Sequence, residues 1–287
     1  MDKNVSTILK SLLQTSELLG KQYNVLPKTT INEQLSIPDG SPQIIIPGET
    51  PSMRIAVIGD GGFTTQTGDD GRPFPTSYYH KPTDSGLFSP IPFLIRAVGS
   101  DINNISGLRD KYRLRKLITI GGQSYVAYYG KVVVADVTQI GLESRTVQGN
   151  GTIAVTPFVH GSVDLNPVPT LLAPNTPYTT TNQYVAASKK VVLALTASDI
   201  SELLHVAEII YNDSRPMTIS EVAMCSGVDR SLNIDGNVAN TMTEAYCVQV
   251  MSFLATNFPA SNYLDGTNYT FDVGNTEPLF AVSPLTQ

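Results

Sequence analysis

Fifteen of the 19 prolines in this chain fall in three blocks, at residues 27–51, 73–92 and 157–177. Proline fixes φ and offers no amide donor, so neither a long helix nor a central strand can run through such a block. The blocks cut the chain into an N-terminal helical arm, a first β unit and a second unit. The first block carries Pro27, Pro38, Pro42, Pro47 and Pro51. Drawn out at about 3.1 Å per residue, it could reach on the order of 75 Å.

Periodicity fills in the segments between. Val5, Ile8, Leu9, Leu12, Leu13 and Leu19 recur at helical spacing, with Asn4 placed to cap the helix and Gly20 to end it, which predicts a helix over 4–20. The apolar stripe of that helix must be buried, either on a neighbouring subunit or back on its own chain. Strands are predicted at 54–58, 93–98, 152–155, 190–196, 217–225, 246–253 and 269–273. Residues 111–120 and 123–134 read as a hairpin about Gly121-Gly122. The run 244–254 fits a helix as well as a strand. A helix over 199–211 is predicted with Ser198 as cap, Ile200, Leu203, Leu204, Ala207 and Ile210 inward, and His205 and Glu208 outward. The fold class is therefore α+β, mainly antiparallel β of a sandwich or barrel-like kind, with one packed helix and an N-terminal helical arm. The expected division is an arm over 1–53 and a β-rich body over 54–287, itself split near 157–181.

Charge is sparse, at 15% of residues, and unevenly spread. After Arg230 no Lys or Arg follows, while Asp235, Glu244, Asp265, Asp272 and Glu277 do; the first 230 residues, with 19 basic and 20 acidic side chains, nearly balance. Within them, residues 109–116 carry a net charge of +4. Read as a strand, that segment places Arg109, Lys111, Arg113 and Arg115 on one face. Such a stripe can be a solvated face that guards a sheet edge. It can also meet an acidic partner, either phosphates or the acidic C-terminal region of a neighbouring subunit. The acidic balance and the lack of interleaved aromatics argue against nucleic acid as the main partner.

The motifs that would carry chemistry do not hold up. Gly59-Asp60-Gly61-Gly62 follows an apolar strand, but the third glycine of a dinucleotide turn would fall at Thr64 and no helix pattern follows. His80, His160 and His205 lack ligand spacing, and Asp60, Asp69 and Asp70 lack the calcium-loop register, so no metal or cofactor is expected. Cys225 with His205 or His160 is the one thiol–imidazole candidate for a hydrolase. Two buried reduced thiols, Cys225 and Cys247, are the default, with a disulfide left open. No apolar run approaches the 18 or so residues of a membrane span, and the first residues carry no apolar signal core, so no membrane partner is expected.

Several runs resemble virion structural proteins of large tailed bacteriophages: Pro92-Phe93-Leu94-Ile95-Arg96, Tyr112-Arg113-Leu114-Arg115, Tyr125-Val126-Ala127-Tyr128-Tyr129, Leu195-Thr196-Ala197-Ser198-Asp199-Ile200, Ile209-Ile210-Tyr211 and Met224-Cys225-Ser226-Gly227-Val228-Asp229. The resemblance implies a non-enzymatic particle component of the neck, tail, baseplate or capsid, assembled in the host cytoplasm. Its partners would be further copies of itself in a ring or repeated array, and other virion proteins. Subunits would meet through Ile8, Leu9, Leu12 and Leu13 of the arm and through the 109–115 stripe. A host-surface or glycan-binding β module is the alternative that the 13 tyrosines suggest, although the chain has no Trp for a sugar-stacking platform.

Overall fold

The computed structural model describes residues 3–37, 43–102, 107–135, 140–168, 179–213, 218–233, 241–255 and 266–281. The chain divides into two compact units. Unit 1 comprises residues up to Val133 together with Leu193–Asn268, and unit 2 comprises Val134–Val192 and the residues from Tyr269 onward. This division differs from the expected arm and body: residues 1–53 belong to unit 1, and the crossings fall at 133, 192 and 268 rather than near 157–181.

Unit 1 opens with β1 (Lys3–Ser6), α1 (Ile8–Leu18) and α2 (Ile31–Gln34). There follow β2 (Ser52–Gly59), the hairpin β3 (Phe63–Thr67) and β4 (Pro73–Ser77), β5 (Pro90–Ile91), β6 (Leu94–Ala97), β7 (Tyr112–Ile120) and β8 (Gln123–Val132). Unit 2 holds β9 (Val134–Ala135), β10 (Leu142–Val147), β11 (Ile153–Pro157), α3 (Ser162–Leu165) and most of β12 (Thr179–Thr196). The chain returns to unit 1 for α4 (Ala197–Tyr211), β13 (Glu221–Asn233) and β14 (Thr241–Ala255). It leaves again along β15 (Gly266–Ala281). The protein is thus α+β and dominated by antiparallel strands.

The main sheet has eight strands in the order β1-β14-β13-β2-β8-β6, with β5 beside β2 and β7 beside β8. Ile55–Gly59 of β2 and Ala245–Phe253 of β14 are buried without alternation. Strands covered on both faces lose the period of two, which is why 244–254 was ambiguous as sequence and is a strand here. The β7–β8 turn has Gly121 at φ 58° and Gly122 at φ 82°, the paired left-handed geometry that a two-residue hairpin loop requires. In β4, Pro73 and Pro75 pair with Thr67 and Thr65. The ladder bond from Tyr78 N–H to the Gly62 carbonyl (2.9 Å) shows that the even-numbered residues face β3. Both prolines therefore sit at edge positions where no donor is needed.

The predicted N-terminal helix is shortened. Lys3–Ser6 instead pair with β14, Val5 opposite Phe253. Thr7 takes the cap role expected of Asn4, accepting from Lys10 N–H at 3.3 Å. The helix packs on its own unit rather than projecting as an arm. Leu9 and Leu13 enter a buried cluster with Tyr23, Ile45, Val228, Tyr246, Cys247 and Met251, and Leu12 packs partly against it. The Pro-rich stretch is pinned as well. A register shift between Ser226 and Val228 on β13 marks a bulge opposite Cys247, which lies at φ 54°. The backbone groups that such a bulge leaves unpaired must find other partners. Gln43 Oε1 accepts from Cys247 N–H at 2.7 Å, and buried Asn32 bridges the Val248 N–H (3.0 Å) and the Ala245 carbonyl (2.9 Å).

Helix α4 begins one residue before the expected cap. Thr196 and Asp199 form a reciprocal capping box, and Asn212 closes the helix in the left-handed conformation. Its buried residues are Asp199, Ile200, Leu203, Val206 and Ala207.

Candidate assembly surfaces

The basic segment predicted to form an open stripe is mostly consumed within the chain. Arg109–Lys111 form a single 3-10 turn and the strand begins only at Tyr112, so the alternation does not run through all four cations. Buried Arg109 lies 3.7 Å from Asp101, and Arg115 donates to the same carboxylate from Nη2 (2.9 Å) and Nε (3.3 Å). The Tyr128 hydroxyl donates to the other Asp101 oxygen at 2.9 Å. Burial pushes the Tyr128 hydroxyl up to about 12, with the Asp101 charge adding to the shift. Arg113 lies 3.3 Å from Asp229, which also accepts from Arg54 at 3.2 Å. Among the four stripe residues only Lys111 is exposed.

Two of the five acidic C-terminal residues are also engaged, while Glu277 is exposed. Glu244 is buried in β14 and accepts from Arg115 N–H at 3.3 Å. Asp272 pairs with Arg145 at 2.5 Å. Asp235 and Asp265 lie outside the described residues. Pairing between copies through opposite charge therefore loses three of its four stripe cations to internal partners. Of the arm residues, Leu9 and Leu13 are buried, Leu12 is half-buried and Ile8 alone is exposed.

The glycine-rich turn after β2 is explained by close packing. A Cβ on Gly59 would lie 2.3 Å from Glu221 Oε1 and 2.5 Å from the Ser89 carbonyl; one on Gly62 would lie 2.4 Å from the Ser220 carbonyl. Glu221 is completely buried and accepts from Phe88 N–H (3.1 Å), Ser89 N–H (2.9 Å) and His80 Nε2 (2.8 Å). The second ring nitrogen of His80 faces Asp84 at 3.1 Å, and the ring is stacked between Phe88 (4.0 Å) and Phe253 (3.7 Å). This cluster clamps residues 80–89 onto β13. A carboxylate inside the apolar run Ile219–Cys225 was the only sequence sign of it, because a buried charge needs partners.

Cys225 is fully buried and burial pushes its thiol up, opposite to the shift that makes a nucleophile. His205 is exposed on α4, 3.7 Å from Glu208. Cys225 and Cys247 are both free. No three His, Cys, Asp or Glu side chains among the described residues could together hold a metal ion. Nor is any described helix long and apolar enough to cross a membrane.

Unit 2 has a different character. Its five-stranded sheet runs β11-β10-β12-β15 with β9 beside β12. Among its described residues the buried apolar ones are Ala186, Val191 and Phe271. Among the described residues of this unit eleven large apolar side chains are exposed, including Leu142, Val147, Ile153 and Val155 on β10 and β11. Register places Val147 beside Ile153 and Arg145 beside Val155 on one face. There Arg145 donates to Glu143 (2.7 Å), to Asp272 (2.5 Å) and to the Ser188 hydroxyl, and lines a concavity of about 660 Å³. Hydrogen bonding to Asp272, with Glu143 adding to it, holds the guanidinium firmly charged against the opposing effect of burial. Burial alone would raise Asp272, but the hydrogen bonds from Arg145 and Ser188 bring it below its ordinary value.

The outer side of β11 is open among the described strands. Phe158 N–H bonds the Leu142 carbonyl (2.9 Å) and Gln148 N–H bonds the Thr152 carbonyl (2.8 Å), so even-numbered residues face β10. Ile153 and Val155 thus turn their backbone groups outward, while Pro157 has no donor to offer and limits the edge.

A family described as one of unknown function (DUF7208) matches the chain over residues 1–287, and the chain belongs to that family. No curated protein and no solved structure matches it.

Proposed function

We propose that this protein is a structural subunit of a larger particle, joined to its neighbours through the surface of unit 2. The particle is the tailed-bacteriophage virion that the sequence resemblance implies, with this chain in its neck or tail region. The observation that carries the reading is the imbalance among the described residues of unit 2, where three buried apolar residues stand against eleven large exposed ones. Where such side chains adjoin, as Val147 does Ile153, the apolar surface they form suits a partner that covers it. The internal use of Arg109, Arg113 and Arg115 moves the main contact from charge pairing to apolar burial. Light scattering on the full chain should show a concentration-dependent oligomer that persists at about 1 M NaCl, where the Debye length is roughly 3 Å. A monomer at every concentration would refute the reading, and dissociation by salt would return the contact to charge pairs.

A second reading draws on unit 1, where Phe74, Tyr78, Tyr79 and Phe88 are all exposed and Tyr78 meets Phe88 edge to face at 6.3 Å. Aromatic rings held outward in this way suit the faces of sugars, and they favour the glycan-binding alternative. Binding to host-envelope polysaccharide that is lost in Phe88→Ala and Tyr78→Ala would support it; no binding by the wild type would end it.

A further inference from the structure

We infer that the concavity beside Phe88 in unit 1 binds one neutral hexopyranose, an assignment that rests on the glycan reading above and gives it a site. Lys28, Gln34, Thr83, Asp84, Ser85 and Phe88 are among the residues that line this concavity of about 490 Å³. That volume falls within the range of small-molecule sites, about 300 to 1,000 Å³. Every lining residue belongs to unit 1.

The aromatic wall is fixed from behind. Phe253, His80 and Phe88 stack in series, with centroids 3.7 and 4.0 Å apart and neighbouring planes 8° and 7° from parallel. Phe253 and His80 are buried, whereas Phe88 is 50% exposed. One face of the Phe88 ring is therefore covered by His80 and the other is open. Glu221 holds one ring nitrogen of His80 and Asp84 faces the other, while Glu221 also accepts from the Phe88 and Ser89 amides. Gln34, at the end of α2, clamps the preceding residue: its Nε2 donates to the Leu87 carbonyl at 2.5 Å and its Oε1 accepts from Leu87 N–H at 3.1 Å. Gly86 leaves room for that clamp, since a Cβ there would lie 2.6 Å from the Gln34 amide. A wall already ordered in the free protein costs little further freedom when a ligand lands on it.

The polar groups suit hydroxyls. Asp84 Oδ2 accepts from Lys81 N–H at 2.9 Å and faces His80, while Oδ1 has no partner among the described residues. Lys28 makes no ion pair among them either. It stands at φ 60°, a backbone that glycine would hold at less cost. A strained residue at a concavity points to a use for its side chain. Lys28 and Asp84 are the charged residues of the lining, one of each sign, so the site favours a ligand without net charge. A pyranose meets these demands together. Its C–H face covers the open side of Phe88 and asks the ring for no hydrogen bond. Its hydroxyls donate to Asp84 Oδ1 and accept from the Lys28 ammonium.

The experiment titrates the full chain with the methyl glycosides of glucose, galactose, mannose and N-acetylglucosamine, followed by saturation-transfer difference NMR. At least one should bind with a Kd of about 1–10 mM, the affinity of a single sugar in an open site. Phe88→Leu keeps His80 covered but removes the flat face, and should weaken that sugar about tenfold. Lys28→Gly should weaken it to a similar degree, while its melting temperature stays level or rises because glycine relieves the φ 60° backbone. A Lys28→Gly chain that binds as tightly as wild type, or that loses binding only with a lowered melting temperature, would overturn this site. It would leave the glycan reading to Phe74, Tyr78 and Tyr79. Binding of none of the four glycosides would also overturn the site, whereas the glycan reading fails only if whole envelope polysaccharide is not bound either.

Discussion

Replacing Glu221 by Ala should strongly destabilise unit 1. The carboxylate is completely buried and accepts three hydrogen bonds, from His80 Nε2 at 2.8 Å, Ser89 N–H at 2.9 Å and Phe88 N–H at 3.1 Å. Each buried donor left without a partner costs about 1–3 kcal/mol. Water entering the space recovers part of this, which leaves about 4 kcal/mol, in the range for breaking a buried ion pair. At roughly 2–4 °C per kcal/mol for a unit of this size, the melting temperature should fall by about 10 °C. The chain has no Trp and 13 Tyr, so urea unfolding is followed by far-UV circular dichroism and tyrosine fluorescence. His80→Phe keeps the stack between Phe88 and Phe253 but removes one donor. Combined with Glu221→Ala in a double-mutant cycle, it should show a coupling of about 2 kcal/mol. A loss below about 1 kcal/mol for Glu221→Ala, or additivity within about 0.5 kcal/mol in the cycle, would refute the reasoning, because the cluster would then be solvated.

Other expectations are more local. Burial raises the Asp199 carboxyl, but the hydrogen bonds from Lys131 and Thr196 outweigh it and hold the group below its ordinary value. Its contribution is therefore complete above the unfolded carboxyl pKa of about 3.9 and lost as pH falls through the lower folded value. Melting temperature against pH should show that acid loss reduced in Asp199→Asn; an unchanged acid limb would contradict it. Asn32→Ala strands the Val248 N–H and the Ala245 carbonyl at the β14 bulge and should cost about 2 kcal/mol or more by urea unfolding. Cys225 and Cys247, both buried, should resist alkylation in the folded chain and react fully in denaturant, counted by mass spectrometry. Labelling of Cys225 in the native state would reopen the thiol reading.

Much of the secondary structure was legible because its causes are local. Gly121-Gly122 between two β-rich runs specifies the β7–β8 hairpin through backbone geometry that few other residues adopt. The spacing of Ile200, Leu203 and Ala207 marks α4, and only its cap moved, from Ser198 to Thr196, because Asp199 could complete a capping box from there. The β3–β4 hairpin is hidden in the sequence because Pro73 and Pro75 read as breaks. In the sheet they are edge residues whose missing donors face away from the ladder.

What the sequence by itself determined was the class of fold, the Gly121-Gly122 turn and the α4 helix, since periodicity and turn chemistry act within about one element's length. The tertiary structure alone decided the fate of the charges and of the N-terminal helix. Arg113 meets Asp229, Arg115 meets Asp101, and His80 meets Glu221 across 141 residues of chain. No spacing rule reaches across such distances. The same holds for exposure: Leu9 and Ile153 are equally apolar as letters, yet one is buried by β14 and its neighbours while the other lies on an open edge. Burial depends on which elements fold against a side chain, and only the assembled sheets supply that.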